Sequence, residues 1–419
     1  MTRVVLVGGG YVTIHAYAGL VRRLRRRVRS GEVEVVVLTA DPSHSFHGFT
    51  GEVLAGILPY ERTRTLLTTA CPLARVVHAV VTEVDRERRT VTYVRIGDAP
   101  HCTQTLAWDH LVVGTGGREP ASRVPGLAEH GFTLRAPGDI ERLAARVAAG
   151  GSPTGEHGPT VVVAGGGLAG VELAAAIADR GGHRVELVHA GPSVLPELAD
   201  QPRLVRRAEA ELARLGVVLH LGVRLAEVTA TSARLSDGTV LATRTVVATT
   251  GQRPVPVPGL GDELRDLQGR LTTAPDLSVA DRVWSAGDAA RVAHPRTGDP
   301  VPANALWAIK AGHHLGDNVA RTLLGHPTRP FAYRGLGRAA SFGMGRSVSE
   351  LYGVPFTGLP AWLLRLAFFL RFMPSRRTAA ATLVDVVRAS SRRRQRPDAV
   401  AAPLPQPSPA RSVRSGAAA

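Results

Sequence analysis

A chain of 419 residues has room for two or three domains, each with its own core, and an apolar fraction of 44% is that of a soluble globular protein. The net charge of +16 comes almost wholly from arginine, with Lys310 the only lysine, and the two cysteines, Cys71 and Cys102, exclude both a C-x-x-C motif and a disulfide-rich scaffold. Such a basic balance suits nucleic acid, anionic lipid or anionic small molecules, but no nucleic-acid motif is present and aromatics are only 5% of the residues, so nucleic acid is not an expected partner.

The chain opens with Arg3-Val4-Val5-Leu6-Val7, enters the turn Gly8-x-Gly10-x-x-Thr13 and leaves it as a helix. In a G-x-G-x-x-G turn the first glycine makes the tight bend. The second lets the backbone approach a pyrophosphate, and the third lets helix and strand pack closely. The helix N-terminus then offers free N–H groups and partial positive charge to the phosphates. Thr13 replaces the third glycine, which predicts slightly looser packing. The arginine run over 22–29 closes the helix and reads as a solvated face with cations near a helix C-terminus; contact with an anionic membrane is the alternative. A second strand ends near Thr39, with Asp41 just beyond it, where a ribose-binding acid is expected. Residues 80–94 alternate and break at 86–89, a hairpin signature. Residues 108–117 read as a buried strand ending in the turn Thr115-Gly116.

Residues 150–158 are a linker by composition. A second unit follows: the run Thr160-Val161-Val162-Val163-Ala164, then Gly165-x-Gly167-x-x-Gly170-x-Glu172, then a helix and a strand over 184–189. A strand over 246–250 ends at Gly251 and closes this inserted unit. Residues 281–288 form another buried strand, ending in Gly287-Asp288, and 302–321 are helical. Two dinucleotide units in one chain imply two dinucleotides, one handing electrons to the other. The apolar segment 359–373 is too short to span a bilayer. It carries Trp362, Leu363, Leu366, Phe368, Phe369 and Phe372, with Arg365 and Arg371 free to snorkel and Arg376 and Arg377 following. That pattern suits attachment to a membrane surface over 359–377; a dimer or core helix is the alternative. Proline, alanine, serine and arginine dominate from 397, as in a disordered tail.

The order of these motifs, with Thr-Gly turns at 115–116 and 250–251 and Gly-Asp at 287–288, resembles the flavoprotein superfamily that includes glutathione reductase. The resemblance spans roughly residues 3–385. Within that superfamily the chain is similar to the type II NADH dehydrogenases. His44-x-Phe46 with Glu52-Val53-x-x-Gly56, the stretch Ala305-Leu306-Trp307-Ala308-Ile309-Lys310-Ala311-Gly312, and Phe331-x-Tyr333 through Trp362 carry this likeness.

The resemblance implies an α/β fold of two Rossmann-like domains: an FAD domain over 1–150 and 272–330, an inserted NAD(P)H domain over 159–271, a membrane or dimer region over 331–388 and a basic tail over 389–419. It assigns FAD to Gly8, Gly10, Thr13, Thr39, Asp41, Thr115, Gly116, Gly287, Asp288 and Ala305. It assigns NADH or NADPH to Gly165, Gly167, Gly170, Glu172, His189 and Gly251. Glu172 maps to the family's partner near the nicotinamide. Leu306 and Lys310 stand where the family carries glutamines, and Lys310 is expected to supply charge or a proton to a reduced head group. His189 replaces the usual ribose acid, so a protonated ring beside a 2′-phosphate is expected. The implied activity passes hydride from NAD(P)H to FAD and electrons on to a quinone, of menaquinone type for instance. The implied setting is the cytoplasmic face of the cell membrane, peripherally bound, with a homodimer as a further possibility. No cysteine pair lies near 40–60, which disfavours disulfide and sulfide chemistry. His313-His314 and His44/His47 lack an accompanying carboxylate cluster, so no metal is expected. A reductase with a protein or other small acceptor, and a degenerate flavin-binding sensor or scaffold, are the competing readings.

Overall fold

The computed structural model describes residues 1–150 and 158–394; most of the linker and the tail from 395 onward lie outside the described residues. The first sheet has eight strands. In spatial order they are Ser278–Ala280, Val283–Ser285, His110–Val113, Thr2–Val7, Val33–Thr39, Arg75–Asp85, Thr90–Arg95 and Thr103–Ala107. From Val283–Ser285 to Arg75–Asp85 the neighbours run parallel, and the last three strands form an antiparallel meander. Val4, Val5, Val36, Val37 and Leu111 are wholly buried. Parallel strands covered on both faces require such unbroken apolar runs, which is why they stood out in the sequence.

Helices Tyr11–Arg29 and Ala305–Leu323 pack against this sheet and cross each other at backbone contact. A Cβ at Gly19 would lie 2.2 Å from the His313 carbonyl oxygen, and one at Gly316 would lie 1.9 Å from that of Ala16. Glycine at both places is therefore a packing requirement. Thr13 is fully buried, and its hydroxyl occupies space left by another glycine: a Cβ on Gly114 would meet Thr13 Oγ1 at 2.9 Å. The threonine is accommodated by the glycine that follows the strand His110–Val113.

The second sheet is wholly parallel, in the order Phe132–Thr133, Thr245–Ala248, Thr160–Ala164, Arg184–His189 and Val218–Leu221. A small antiparallel sheet of Leu225–Val228, Ser232–Leu235 and Val240–Ala242 follows its last strand. The structure moves both borders of the inserted unit. Phe132, Leu143 and Val147 already belong to the second core, so that unit begins well before 159. Val257, Leu260 and Leu271 sit in the first core, so the chain has returned well before 272.

The C-terminal part has a three-stranded antiparallel sheet, Gly337–Ser341, Ser347–Leu351 and Val354–Thr357, and two helices, Gly358–Phe372 and Arg376–Arg394. Residues 389–394, placed in the basic tail by the expected domain division, continue the last helix. Ala340, Phe342 and Val348 join the second core, while Leu366, Met373 and Val386 cluster with Phe46, Phe49 and Leu58. The Phe369 ring packs edge-on against Phe46 and Phe49, at centroid distances of 5.9 and 5.5 Å. The apolar segment thus divides its side chains. Leu366 and Phe369 face the protein, whereas Leu359, Leu363 and Leu364 remain exposed. Among the described residues no helix is long and apolar enough to cross a membrane.

Because the Gly316 site has no room for a side chain, Gly316→Leu should separate the crossed helices and cost about 1–3 kcal/mol. Urea unfolding should show the midpoint falling accordingly; an unchanged midpoint would mean the crossing has slack.

Candidate active site

The first glycine turn opens onto a cleft of about 1810 Å³ that reaches the second unit and the C-terminal helix. Gly8 bends the turn at φ +109°, and a Cβ there would lie 2.4 Å from the Gly114 carbonyl oxygen. A Cβ on Gly10 would instead point into free space, with the Gly114 oxygen as nearest atom at 3.9 Å. Gly10 therefore leaves the helix N-terminus bare, as a dinucleotide pyrophosphate requires. Thr39, Asp41, Thr115, Gly116, Asp288 and Ala305 line the same cleft.

Thr39 turns its hydroxyl to the Asp41 carbonyl oxygen, at 2.8 Å, and Arg64 donates to Asp41 Oδ1 at 2.7 Å. Thr115 Oγ1 donates to the Val255 carbonyl oxygen at 2.8 Å and fixes the turn that Gly116 completes at φ +66°. Burial pushes the Asp288 carboxyl up, against the opposing charge of Arg135 at 3.7 Å. His44 holds Nδ1 against the Gly9 carbonyl oxygen at 3.2 Å, which makes Nδ1 the protonated nitrogen and leaves Nε2 buried with no protein partner. A bare glycine turn, a half-buried carboxyl and an orphaned imidazole nitrogen together fit a polar dinucleotide such as FAD. Gly287 is placed by packing, since a Cβ there would meet Val12 at 2.8 Å.

In the second unit Gly165 bends at φ +118°, and a Cβ at Gly170 would lie 1.8 Å from the Gly165 carbonyl oxygen. These two positions perform the bend and the close helix–strand contact assigned to them. Gly251, at φ +76°, supplies the second Thr-Gly turn. His189 stands at the end of its strand, and its Nδ1 accepts the Gly166 N–H at 3.1 Å. Burial lowers its pKa, with the charge of Glu197 opposing. A ring that accepts at Nδ1 is neutral, so the protonated histidine expected beside a 2′-phosphate is not what the fold holds in place.

Where the two units and the C-terminal helix meet, three charged groups converge. Arg365 donates to Glu172 Oε1 at 2.8 Å and to Glu52 Oε1 at 2.6 Å, and its Nη2 donates to the Gly48 carbonyl oxygen at 2.9 Å. Its guanidinium also lies over the Phe369 ring, 4.5 Å from the centroid. Arg365 is 3% exposed, so it does not snorkel toward lipid phosphate as its place in an apolar helix suggested. Burial opposes its charge, but Glu172 and Glu52 outweigh that effect and keep it cationic. Two carboxylates share this one cation. Burial raises the Glu172 pKa; Glu52 adds to the rise, while Arg365 and the Ser341 N–H, at 2.8 Å, oppose it.

His47 and Tyr11 complete this wall. The His47 N–H donates to the Tyr11 hydroxyl at 3.1 Å, and burial together with Arg135 holds the His47 ring down at a pKa of about 4. Lys310 lies elsewhere. It is exposed, outside the cleft, with Nζ 5.8 Å from the Tyr333 ring centroid and 5.6 Å from that of Phe372. At the junction with the C-terminal helix, the cation that lines the cleft is Arg365. Nothing in the local sequence marked it, because its partners lie 193 and 313 residues away.

A parallel-sheet unit with a glycine turn, interrupted by a second such unit that faces the same cleft, defines a flavoprotein oxidoreductase with two dinucleotide sites. The chain belongs to the pyridine nucleotide-disulphide oxidoreductase family, whose model matches residues 2–312. It is 29% identical over 310 residues to the demethylphylloquinone reductase NdbB of Synechocystis, an alignment covering 70% of this chain and 73% of the relative. It is 28% identical over 427 residues to the type II NADH:quinone oxidoreductase Ndh of Mycobacterium tuberculosis, covering 91% and 87%. Its fold is similar to that of NDH2 from Plasmodium falciparum in complex with NADH, with a TM-score of 0.78 at 12% identity over 93% of this chain and 98% of that one. The expected kinship with type II NADH dehydrogenases holds, and FAD and NAD(H) are the dinucleotides of this family.

Removing Arg365 leaves two carboxylates buried without their cation, a loss typical of about 3–5 kcal/mol. Arg365→Met should therefore lower the urea midpoint and expose the C-terminal helices to protease; full resistance would show that the latch is dispensable. Glu172 has a raised folded pKa, so its contribution to stability is present below the ordinary carboxylate range and is lost as pH rises through the folded value. Glu172→Gln should flatten that decline in unfolding curves measured from pH 4 to pH 8, and an unaltered slope would assign the titration to another group.

Proposed function

We propose that this NAD(P)H-dependent flavoprotein delivers its electrons to a quinone while its C-terminal helices rest on a membrane surface. One observation carries the reading: the helix that walls the cleft also turns an apolar face outward. Leu364, Arg365, Phe368 and Phe369 line the cleft. On the outside of the same helix Leu359 and Leu363 are 55% and 49% exposed, and on the next helix Leu383, Val384 and Val387 are 42%, 46% and 56% exposed. An acceptor dissolved in lipid would reach the cleft across this face. Arginines 371, 376 and 377 are exposed nearby and suit anionic head groups. The relatives named for demethylphylloquinone and quinone reduction support the same acceptor class.

Bound FAD supplies the ring that accepts hydride from NAD(P)H and releases electrons onward. The chain binds, orients and shields. Gly10 admits the flavin pyrophosphate to a helix N-terminus. Asp288 offers a half-buried acceptor to the flavin's polar chain. Phe368 and Phe369 exclude water from the acceptor end. Glu172, held by Arg365 at the junction, carries a carboxyl whose raised pKa suits it to hold and pass a proton there. Lys310 has no part in this arrangement.

Stopped-flow reduction by NADH and by NADPH, followed by reoxidation with a menaquinone analogue in anionic vesicles, tests the reading. The triple variant Leu383→Gln, Val384→Gln, Val387→Gln should bind vesicles at least about tenfold more weakly, since each such side chain gains up to ~1.5–3 kcal/mol on burial. Turnover with vesicle-borne quinone should fall in step while flavin reduction keeps its rate. Exposed-face substitutions are preferable to truncation, because deleting the helix would also strip Arg365 from Glu172 and Glu52. If the variant reduces vesicle-borne quinone at the wild-type rate, this face does not deliver the protein to its acceptor; if the wild type itself reduces no vesicle-borne quinone, the acceptor is a soluble one.

A further inference from the structure

The second glycine turn differs from the first at its middle glycine as well as at its third position. At Gly10 the space beyond the backbone is open, whereas at Gly167 it is filled by a carboxylate. A Cβ on Gly167 would lie 2.7 Å from Glu197 Oε1, and that oxygen accepts the Leu168 N–H at 3.3 Å. Leu168 begins the helix Leu168–Arg180, so its N–H is one of the free donors that a dinucleotide pyrophosphate takes in this fold. We infer that Glu197 is a built-in competitor for the coenzyme pyrophosphate, so that NAD(P)H binds only by displacing this carboxylate and Glu197 sets the coenzyme affinity. The inference rests on the NAD(P)H reading of this unit.

The loop is built to hold Glu197 there by its backbone. Leu195 is wholly buried and adopts φ +55°, a left-handed conformation unusual for leucine. Its N–H donates to the Gly166 carbonyl oxygen at 2.7 Å, which ties the loop to the glycine turn itself. On the far side Arg338 donates to the Glu197 carbonyl oxygen and pairs with Asp200 at 2.8 Å and with Glu350 at 3.0 Å. The backbone is thus anchored at both ends, while the Glu197 side chain itself is exposed and makes one long hydrogen bond. It can swing into water at low cost and return when the coenzyme leaves. A second effect follows from charge. With the carboxylate close by, the pyrophosphate meets a like charge that the helix N-terminus must overcome.

Isothermal titration of the FAD-loaded protein tests this without turnover. The ligands are NAD⁺, NADP⁺, ADP-ribose, which keeps the pyrophosphate but has no nicotinamide, and nicotinamide mononucleotide, which has a single phosphate and no pyrophosphate. Glu197→Gln and Glu197→Ala should tighten NAD⁺ and ADP-ribose about two- to fivefold, the scale of one exposed charged group at a helix end. Nicotinamide mononucleotide should bind all three proteins equally. Equal or weaker binding of NAD⁺ and ADP-ribose by the variants overturns the competitor role and leaves the coenzyme site standing. Binding of neither dinucleotide by any of the three proteins overturns the coenzyme reading and the inference with it.

Discussion

The guanidinium of Arg365 is where this molecule is closed. It comes from the helix Gly358–Phe372, and it holds a carboxylate from each side of the cleft: Glu52 beside the first unit and Glu172 in the helix that follows the second glycine turn. Taking these three charges out of water is costly. A well-packed apolar trio could match or exceed the stability they provide. What the ionic arrangement adds is position. Each carboxylate finds its charge balance in one place only, so the two units and the terminal helix adopt one relative placement. The aromatic packing of Phe369 on Phe46 and Phe49 then fills the space around a junction already fixed by charge.

Much of this was legible in the chain. The two glycine turns, both Thr-Gly ends and the Gly-Asp strand end are local patterns, each set by backbone geometry over a few residues. The buried parallel strands announce themselves because both faces are covered. What escaped was what depends on residues far apart. Arg365 read as a snorkelling cation because its own neighbours are apolar, and no local signal reports a carboxylate 313 residues upstream. Lys310 drew attention as a cation beside a familiar motif, yet its helical position directs it to the rim. The unit borders also slipped: Phe132–Thr133 is too short to show a period, and only its pairing with Thr245–Ala248 places it in the second sheet. Glu197 lies in a loop, where periodicity says nothing.

The two halves of the cleft are not equivalent, although their sequences look like copies. The first turn has a threonine in its third place, faced by Gly114, and an open space at its second. The second turn keeps all three glycines, with Gly170 pressed onto Gly165, yet its second place is covered by Glu197. A permanently held cofactor and an exchanging one make opposite demands. The first is served by an open cradle with a half-buried carboxyl and an orphaned imidazole, the second by a turn that an exposed side chain covers.

The sequence separation within the Arg365 cluster also bears on how the protein is made. A ribosome adds roughly 5–20 residues per second, so Glu52 waits roughly 15–60 s for its cation to be synthesised. During that interval the first sheet is incomplete as well, because Val283–Ser285 must return to pair with His110–Val113. For the 193 residues between Glu172 and Arg365 the nascent chain carries two unpaired acids, with the rings of Phe46 and Phe49 still uncovered by Phe369. Such a chain needs shelter until its last helices emerge, and a prematurely terminated product would be left with an acidic, apolar wound that cellular quality control can recognise.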